Sequence, residues 1–241
     1  MRGRHSQLFD QEYFECGTIS NYTGYTYGEI HEQIASGLVD HFAPTKHLDV
    51  GCAKGFIVYA LRRRGIDPVG MDVSSYALRN SPPEIRSSLV RGDAETGLPF
   101  RDCSFDLVTC MTTIEHLSEV HELVREIKRV LVPGGYVYMT TDDPENPSAL
   151  PVIRKDITHM NVYPFNFWKQ LLRGEGFRTA RVSVDTPNEI LQGSRLEPYV
   201  QWVLHLLPAA VSKRIREMSS IYHQLRHHEQ RVQMQGQKPQ T

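Results

Sequence analysis

The stretch Lys46 to Phe56, Lys-His-Leu-Asp-Val-Gly-Cys-Ala-Lys-Gly-Phe, constrains the fold of this chain more than any other. A short apolar run ending in Asp49 and Val50 reads as a buried strand. Gly51 to Gly55 reads as a turn of small residues, and Phe56 to Arg64 as a helix. A strand, a glycine turn and a helix in that order open a parallel α/β sheet whose ligand lies across the strand tip. Gly51 lets the backbone turn sharply, and Ala53 and Gly55 carry too little side chain to obstruct a ligand there.

The next strand narrows the ligand class. Pro68 to Val73 reads as a parallel strand with Asp72 at its C-terminal end, about twenty residues beyond the turn, where a carboxylate can accept both hydroxyls of a ribose. Val73 follows at the same edge. The spacing of Gly51, Ala53 and Gly55 departs from the G-x-G-x-x-G of dinucleotide folds and suits a smaller nucleoside without a pyrophosphate.

Six motifs in order, Leu-Asp-Val-Gly-Cys-Ala-Lys-Gly, Met-Asp-Val-Ser, Gly-Asp-Ala-Glu-Thr-Gly-Leu-Pro-Phe, Phe-Asp-Leu-Val, Glu-His-Leu and Leu-Val-Pro-Gly-Gly, span roughly Lys46 to Phe177. In these the chain resembles the class I S-adenosylmethionine-dependent methyltransferases. The resemblance implies a Rossmann-like doubly wound α/β sheet, mostly parallel with an antiparallel edge, and S-adenosylmethionine as cofactor. It points to Asp49, Gly51, Ala53, Gly55, Asp72, Val73, Asp93, Ala94 and Thr112 as cofactor-binding positions. Asp93 would accept from the adenine amine and Ala94 offer a backbone amide; a solvated turn acid is the plain alternative. Ala53 stands where the family usually has glycine, which is tolerated if its φ is negative.

The length of 241 residues fits one α/β core with appendages. The expected division is an N-terminal Tyr-rich lid and capping helix over 1–44, a cofactor-binding core over 45–186, and a C-terminal helical extension with a frayed tail over 187–241. The 27 basic residues nearly cancel the 28 acidic ones, which leaves no electrostatic footprint for nucleic acid. A small-molecule substrate, or S-adenosylmethionine as sole substrate, is the expected partner, in a monomer or homodimer. Cys16, Cys52, Cys103 and Cys110 form no C-x-x-C pair and suit reduced thiols of a cytoplasmic protein, so no metal ligation is expected of them. Neither a signal peptide nor a membrane-spanning run is read.

Leu8 to Tyr27 crowds Phe9, Tyr13, Phe14, Tyr22, Tyr25 and Tyr27 together. As a lid, these rings, Tyr22 and Tyr27 among them, would face a sulfonium through their π clouds, worth about 0.5–2 kcal/mol each; as a plain cap they would only pack on the core. Glu29 to Phe42 repeats apolar residues every fourth position and reads as a helix stopped by Pro44. Arg62, Arg63 and Arg64 read as the solvated C-terminus of the helix after the turn. Strands are expected at Ser88–Arg91, Phe105–Met111 and Tyr136–Thr141, with an amphipathic helix over Glu119–Val132. A helix from Pro164 through Gly174 precedes a sixth, antiparallel strand over Phe177–Val184, and no seventh strand is found. After Pro187, an apolar stripe from Tyr199 to Leu207 suits a core face, a dimer contact or a substrate cover.

His116, directly after the fourth strand, is the nearest candidate general base, with positioning of substrate the favoured role. His159, in a Thr-His-x-x-x-Tyr phrase that the family carries near its substrate pocket, is the second base candidate. Asp142 and Asp143 follow the fifth strand and could hold a substrate amine or accept a proton. A sulfonium is already a good leaving group, so methyl transfer to oxygen or nitrogen of a small metabolite is the leading reaction. The alternatives are cyclisation of the cofactor itself, as in the azetidine-2-carboxylate synthases that resemble this family, and a non-catalytic binding module.

Overall fold

The computed structural model describes residues 6–147, 149–180 and 231–239. Among the described residues, seven strands form one sheet in the order β3-β2-β1-β4-β5-β7-β6. They are β1 (Lys46–Val50), β2 (Asp67–Asp72), β3 (Leu89–Arg91), β4 (Phe105–Met111), β5 (Leu131–Asp142), β6 (Arg178–Ala180) and β7 (Arg231–Gln237). The helices are α1 (Glu29–Phe42), α2 (Phe56–Arg62), α3 (Ser75–Arg79), α4 (Val120–Val130), α5 (Leu150–Lys155) and α6 (Phe165–Gly174). β1 pairs in parallel with both β2 and β4, so the chain winds outward from β1 in one direction and then in the other. The crevice outside the C-terminal ends of β1 and β4 is the switch point at which open α/β sheets take ligands.

Successive residues of a strand face opposite sides of a sheet, and both sides here are apolar. Val108, Val137 and Met139 join Leu123, Val124 and Ile127 of α4 and Trp168 and Leu172 of α6 on one face. Leu107 and Tyr138 join Ile34 and Leu38 of α1 and Ala60 and Leu61 of α2 on the other. Full burial of such a side chain contributes about 1.5–3 kcal/mol, which makes these two layers the main source of stability. α1 ends at Phe42 because Ala43 turns into the left-handed region at φ 44° and donates its N–H to Val39 O.

Three expectations are corrected. The fifth strand begins at Leu131, through Pro133 and the two glycines, with an irregular register between Phe105 and Leu107 of β4 that absorbs them. A seventh strand exists: Arg231–Gln237 pairs antiparallel with β5 over seven positions and with β6 over three, so this part of the tail is sheet and not frayed. Its sequence alternates Arg, Gln, Gln, Gln with Val, Met, Gly, the period of a strand, which the polar composition obscured. The arginines after the glycine-turn helix are not merely solvated: Arg63 and Arg64 pair with Glu32 of α1, and Arg62 donates to Ser88. Phe177–Val184 holds a strand over Arg178–Ala180, and the helical expectations for 187–230 lie outside the described residues.

Candidate functional site

The turn after β1 is tied to β2 by its backbone. The N–H groups of Gly51 and Cys52 donate to Met71 O at 2.8 and 3.1 Å, and that of Ala53 donates to the Asp72 carboxylate at 2.7 Å. Asp72 also accepts from Ser74 N at 2.7 Å, so one carboxylate fixes both the turn and the start of α3. Ala53 lies at φ 51° and not, as expected, at negative φ. Its methyl is accommodated because the hydrogen bond to Asp72 holds the backbone in a region an L-residue otherwise avoids. Gly51, at φ 76°, has no room for a side chain because a Cβ there would collide with Thr113. Gly55 is left-handed at φ 73°, and a Cβ there would lie 2.6 Å from Ile85 Cδ1, so backbone and packing both ask for glycine.

Above this turn lies an open cleft. It is lined by nine of the positions singled out in the sequence: Tyr22, Gly51, Ala53, Asp72, Val73, Asp93, Ala94, Thr112 and His116. A second cavity shares Tyr22, Gly51 and Thr112 with it and has Asp49 in its wall. Gly55, Tyr27, Asp142 and His159 line neither cavity. Tyr27 instead donates to Glu32 and stacks on His31 at 5.5 Å, a packing role on α1. Asp142 is buried at the end of β5 beside β7, the strand that sequence reasoning missed.

The cleft is acidic and aromatic. Three carboxylates, Asp49, Asp72 and Asp93, stand around the two cavities, and no lysine or arginine is among the described residues lining them. Burial raises the Asp72 carboxyl above its ordinary value, opposed by its backbone donors. Burial raises Asp49 to about 7, opposed by the Thr109 hydroxyl that donates to it at 2.6 Å and assisted by the Asp72 charge. Behind Thr109, His47 Nε2 lies 2.8 Å from the same hydroxyl. Burial holds His47 down at about 3, hence neutral, so Nε2–H donates to Thr109 and Thr109 to Asp49.

The cover of the cleft is the N-terminal segment. Tyr13 and Phe14 are buried and pack with Phe9, Tyr22, Tyr25 and Tyr76 over Ala53 and Ala77. The latch that holds this cover is Lys54, a residue of the glycine turn that the sequence did not mark out. Its ammonium donates to Glu15 at 2.5 Å and to Tyr25 O at 2.7 Å. Glu15 also accepts from Tyr76 at 3.1 Å, and these donors, Lys54 first, lower its carboxyl.

The far wall is His116, whose ring meets Phe9 edge-on at 5.4 Å. Thr158 Oγ1 lies 2.8 Å from His116 Nδ1 and 2.5 Å from Asp156 Oδ1. Because a carboxylate only accepts, Thr158 donates to Asp156 and accepts from His116, which places the imidazole proton on Nδ1. Asp156 accepts from Tyr13 at 3.1 Å through its other oxygen, and Tyr13 OH lies 3.5 Å from His116 Nε2. His159 stands behind His116, rings 4.8 Å apart.

Residues 48–139 match the methyltransferase domain family. Together with the switch-point cleft and its Asp72–Ala53 turn, that match points to the class. Over residues 48–139 the core is similar to class I S-adenosylmethionine-dependent methyltransferase domains. Among its relatives, the ubiquinone biosynthesis O-methyltransferase of Paracidovorax citrulli is 33% identical over 118 residues, covering 44% of this chain and 48% of that protein. The chain thus spans about half the length of the curated relatives it matches. A S-adenosylmethionine-dependent methyltransferase from Archaeoglobus fulgidus superposes with a TM-score of 0.59 at 19% identity over 86% of this chain and 94% of that one. The YcgJ protein of Bacillus subtilis gives a TM-score of 0.59 at 18% identity over 88% of this chain and 100% of its own. At such identities these structures speak for the methyltransferase fold alone.

Proposed function

We propose that the cleft binds S-adenosylmethionine and that the protein transfers its methyl group to an oxygen or nitrogen of a small metabolite. The observation that carries this reading is the character of the walls. Three carboxylates and a set of aromatic faces, with no lysine or arginine among the described residues lining the two cavities, select a hydroxyl-bearing cation and disfavour a phosphate.

In this reading Asp72 accepts the ribose hydroxyls, since each of its oxygens keeps a lone pair beyond its bond to Ala53 or Ser74. Asp93 and Ala94 border the adenine, with Val73 along its edge. Gly51, Ala53 and Thr112 shape the backbone under the methionine arm, and Asp49 offers charge to its ammonium. Tyr22 faces the sulfonium as part of the lid. Tyr27 and Gly55 support the site from outside it, and Asp142 takes no part.

The sulfonium brings its own leaving group, so the protein contributes chiefly alignment of nucleophile, methyl carbon and sulfur. Such alignment supplies roughly 7–11 kcal/mol in favourable cases. His116 stands at the wall open to an acceptor. The test is incubation of the purified protein with S-adenosylmethionine, with and without a small-molecule extract, followed by mass-detected chromatography. S-adenosylhomocysteine that forms only with the extract is the expected result. Methylthioadenosine from the cofactor alone would instead mean that the cofactor is the sole substrate.

A further inference from the structure

We propose that Glu115, His116 and His159 form a site for a divalent metal ion of the zinc type, placed between the cleft and the 156–161 loop. One ligand atom from each of these three residues lies within 4.8 Å of the others. Two imidazoles and one carboxylate with a fourth place left open are a donor set that suits zinc in a reactive site. All three are withdrawn from water: Glu115 is 0% and His116 6% exposed, and the His159 side chain 8%.

The second observation is the state of His159. Its Nδ1 is buried without a hydrogen-bond partner among the described residues, which is unfavourable unless something occupies the lone pair. Nε2 of the same ring lies 3.8 Å from Asp156 Oδ2, too long for a hydrogen bond yet enough to favour the proton on that nitrogen. Asp156 also acts on His116 through Thr158, putting the proton on Nδ1 and the lone pair on Nε2. One carboxylate therefore sets the tautomer of both imidazoles, which is the arrangement that orients histidine ligands around a metal.

The backbone holds the two halves of the site together. Met160 N and Asn161 N donate to Glu115 O at 2.8 and 3.0 Å, and Asn161 donates through its side chain to Leu117 O. Ligand atoms around a tetrahedral zinc stand roughly 3.3 Å apart, from bond lengths of 2.0–2.1 Å. Side-chain rotations of about an ångström close the present arrangement onto an ion.

The inference rests on the methyl-transfer reading and names its acceptor class. His116 belongs to both the cleft wall and this cluster, so an ion here stands beside the acceptor. An acceptor hydroxyl at the open coordination place loses its proton to solvent more readily. Its oxygen then forms the new bond to the methyl carbon as the carbon–sulfur bond breaks, the electron pair stays on sulfur, and neutral S-adenosylhomocysteine leaves. The acceptor is accordingly a hydroxyl and not an amine.

The test is calorimetric titration of zinc into the untagged full chain freed of metal by EDTA, with S-adenosylmethionine titrated in parallel. The wild type is expected to take up one zinc ion. His159→Ala should weaken zinc on the order of 100-fold or more, and Asp156→Asn, which changes only the orienting carboxylate, by about 10–100-fold. Cofactor affinity in His159→Ala should match the wild type. A folded wild type that binds no stoichiometric zinc, or wild-type zinc affinity in both His159→Ala and Glu115→Gln, overturns the site. Zinc uptake without cofactor binding would retain the metal site and remove the methyl-transfer reading; cofactor binding without zinc would do the reverse.

Discussion

Asp49 ends its strand with a carboxyl that burial holds near 7, against an ordinary value of 3.8. Between those values the folded chain binds a proton that the unfolded chain has released. The stability this group contributes is therefore complete below about pH 4 and is lost as pH rises through about 7. Asp49→Asn keeps an oxygen for Thr109 and removes the titration, so thermal unfolding followed from pH 4 to 8 should decline less in the variant. Parallel curves for the two proteins would contradict the buried acid. Ala53, held at φ 51°, gives a second residue-scale prediction. Ala53→Gly relieves a left-handed alanine that costs about 1–2 kcal/mol, partly offset by the freedom of glycine in the unfolded chain, and should raise the melting temperature slightly. A lower melting temperature would show that the methyl earns its place by packing. Asp72, Asp93 and Gly51 were legible in the sequence because their offsets from strand ends are local. At Gly55 the turn's left-handed φ was legible, but the packing against Ile85, a residue of a later element, was not, because no local pattern exhibits it. Asp142 lies outside both cavities for a related reason: a position at a strand end does not say which way its side chain is taken.

The N-terminal segment shows what an element's sequence conceals. Its aromatics announced a cover, and five of them line the cleft, but nothing in the segment itself marked Lys54 as the partner that fastens it. Lys54→Met keeps the aliphatic stem and removes the donor. Faster amide hydrogen exchange in residues 6–28 and cofactor affinity reduced about tenfold are the expected outcome, from the loss of charge-assisted hydrogen bonds worth about 1.5–3 kcal/mol. Wild-type exchange would show that the aromatic packing alone fixes the segment. β7 was concealed by its glutamines. Gly236 of that strand is held close: a Cβ there would lie 2.9 Å from Val137 Cγ1 and 3.1 Å from Phe177 Cδ1. Gly236→Val should destabilise the fold by about 1–3 kcal/mol in urea unfolding, and an unchanged midpoint would argue against the pairing of β5 with β7.

Across the whole molecule, the sheet brings to one edge residues that are far apart in the chain. The turn after β1, the end of β2, the loop after β3 and the end of β4 all reach the crevice where the winding reverses, and the N-terminal segment closes over it. That geometry was readable because the strand, turn and helix pattern fixes winding direction, and winding direction fixes the ligand edge. The histidine wall was only half readable, since the 156–161 loop joins it through tertiary contacts. In the proposed function Asp72 and Asp93 hold the nucleoside of S-adenosylmethionine. Calorimetric titration of S-adenosylmethionine into the wild type, Asp72→Ala and Asp93→Ala, each first shown to be folded, measures it. Binding by the wild type and a loss of roughly tenfold or more in each variant are predicted. Wild-type affinity in Asp72→Ala would contradict the placement of the ribose and the reading built on it.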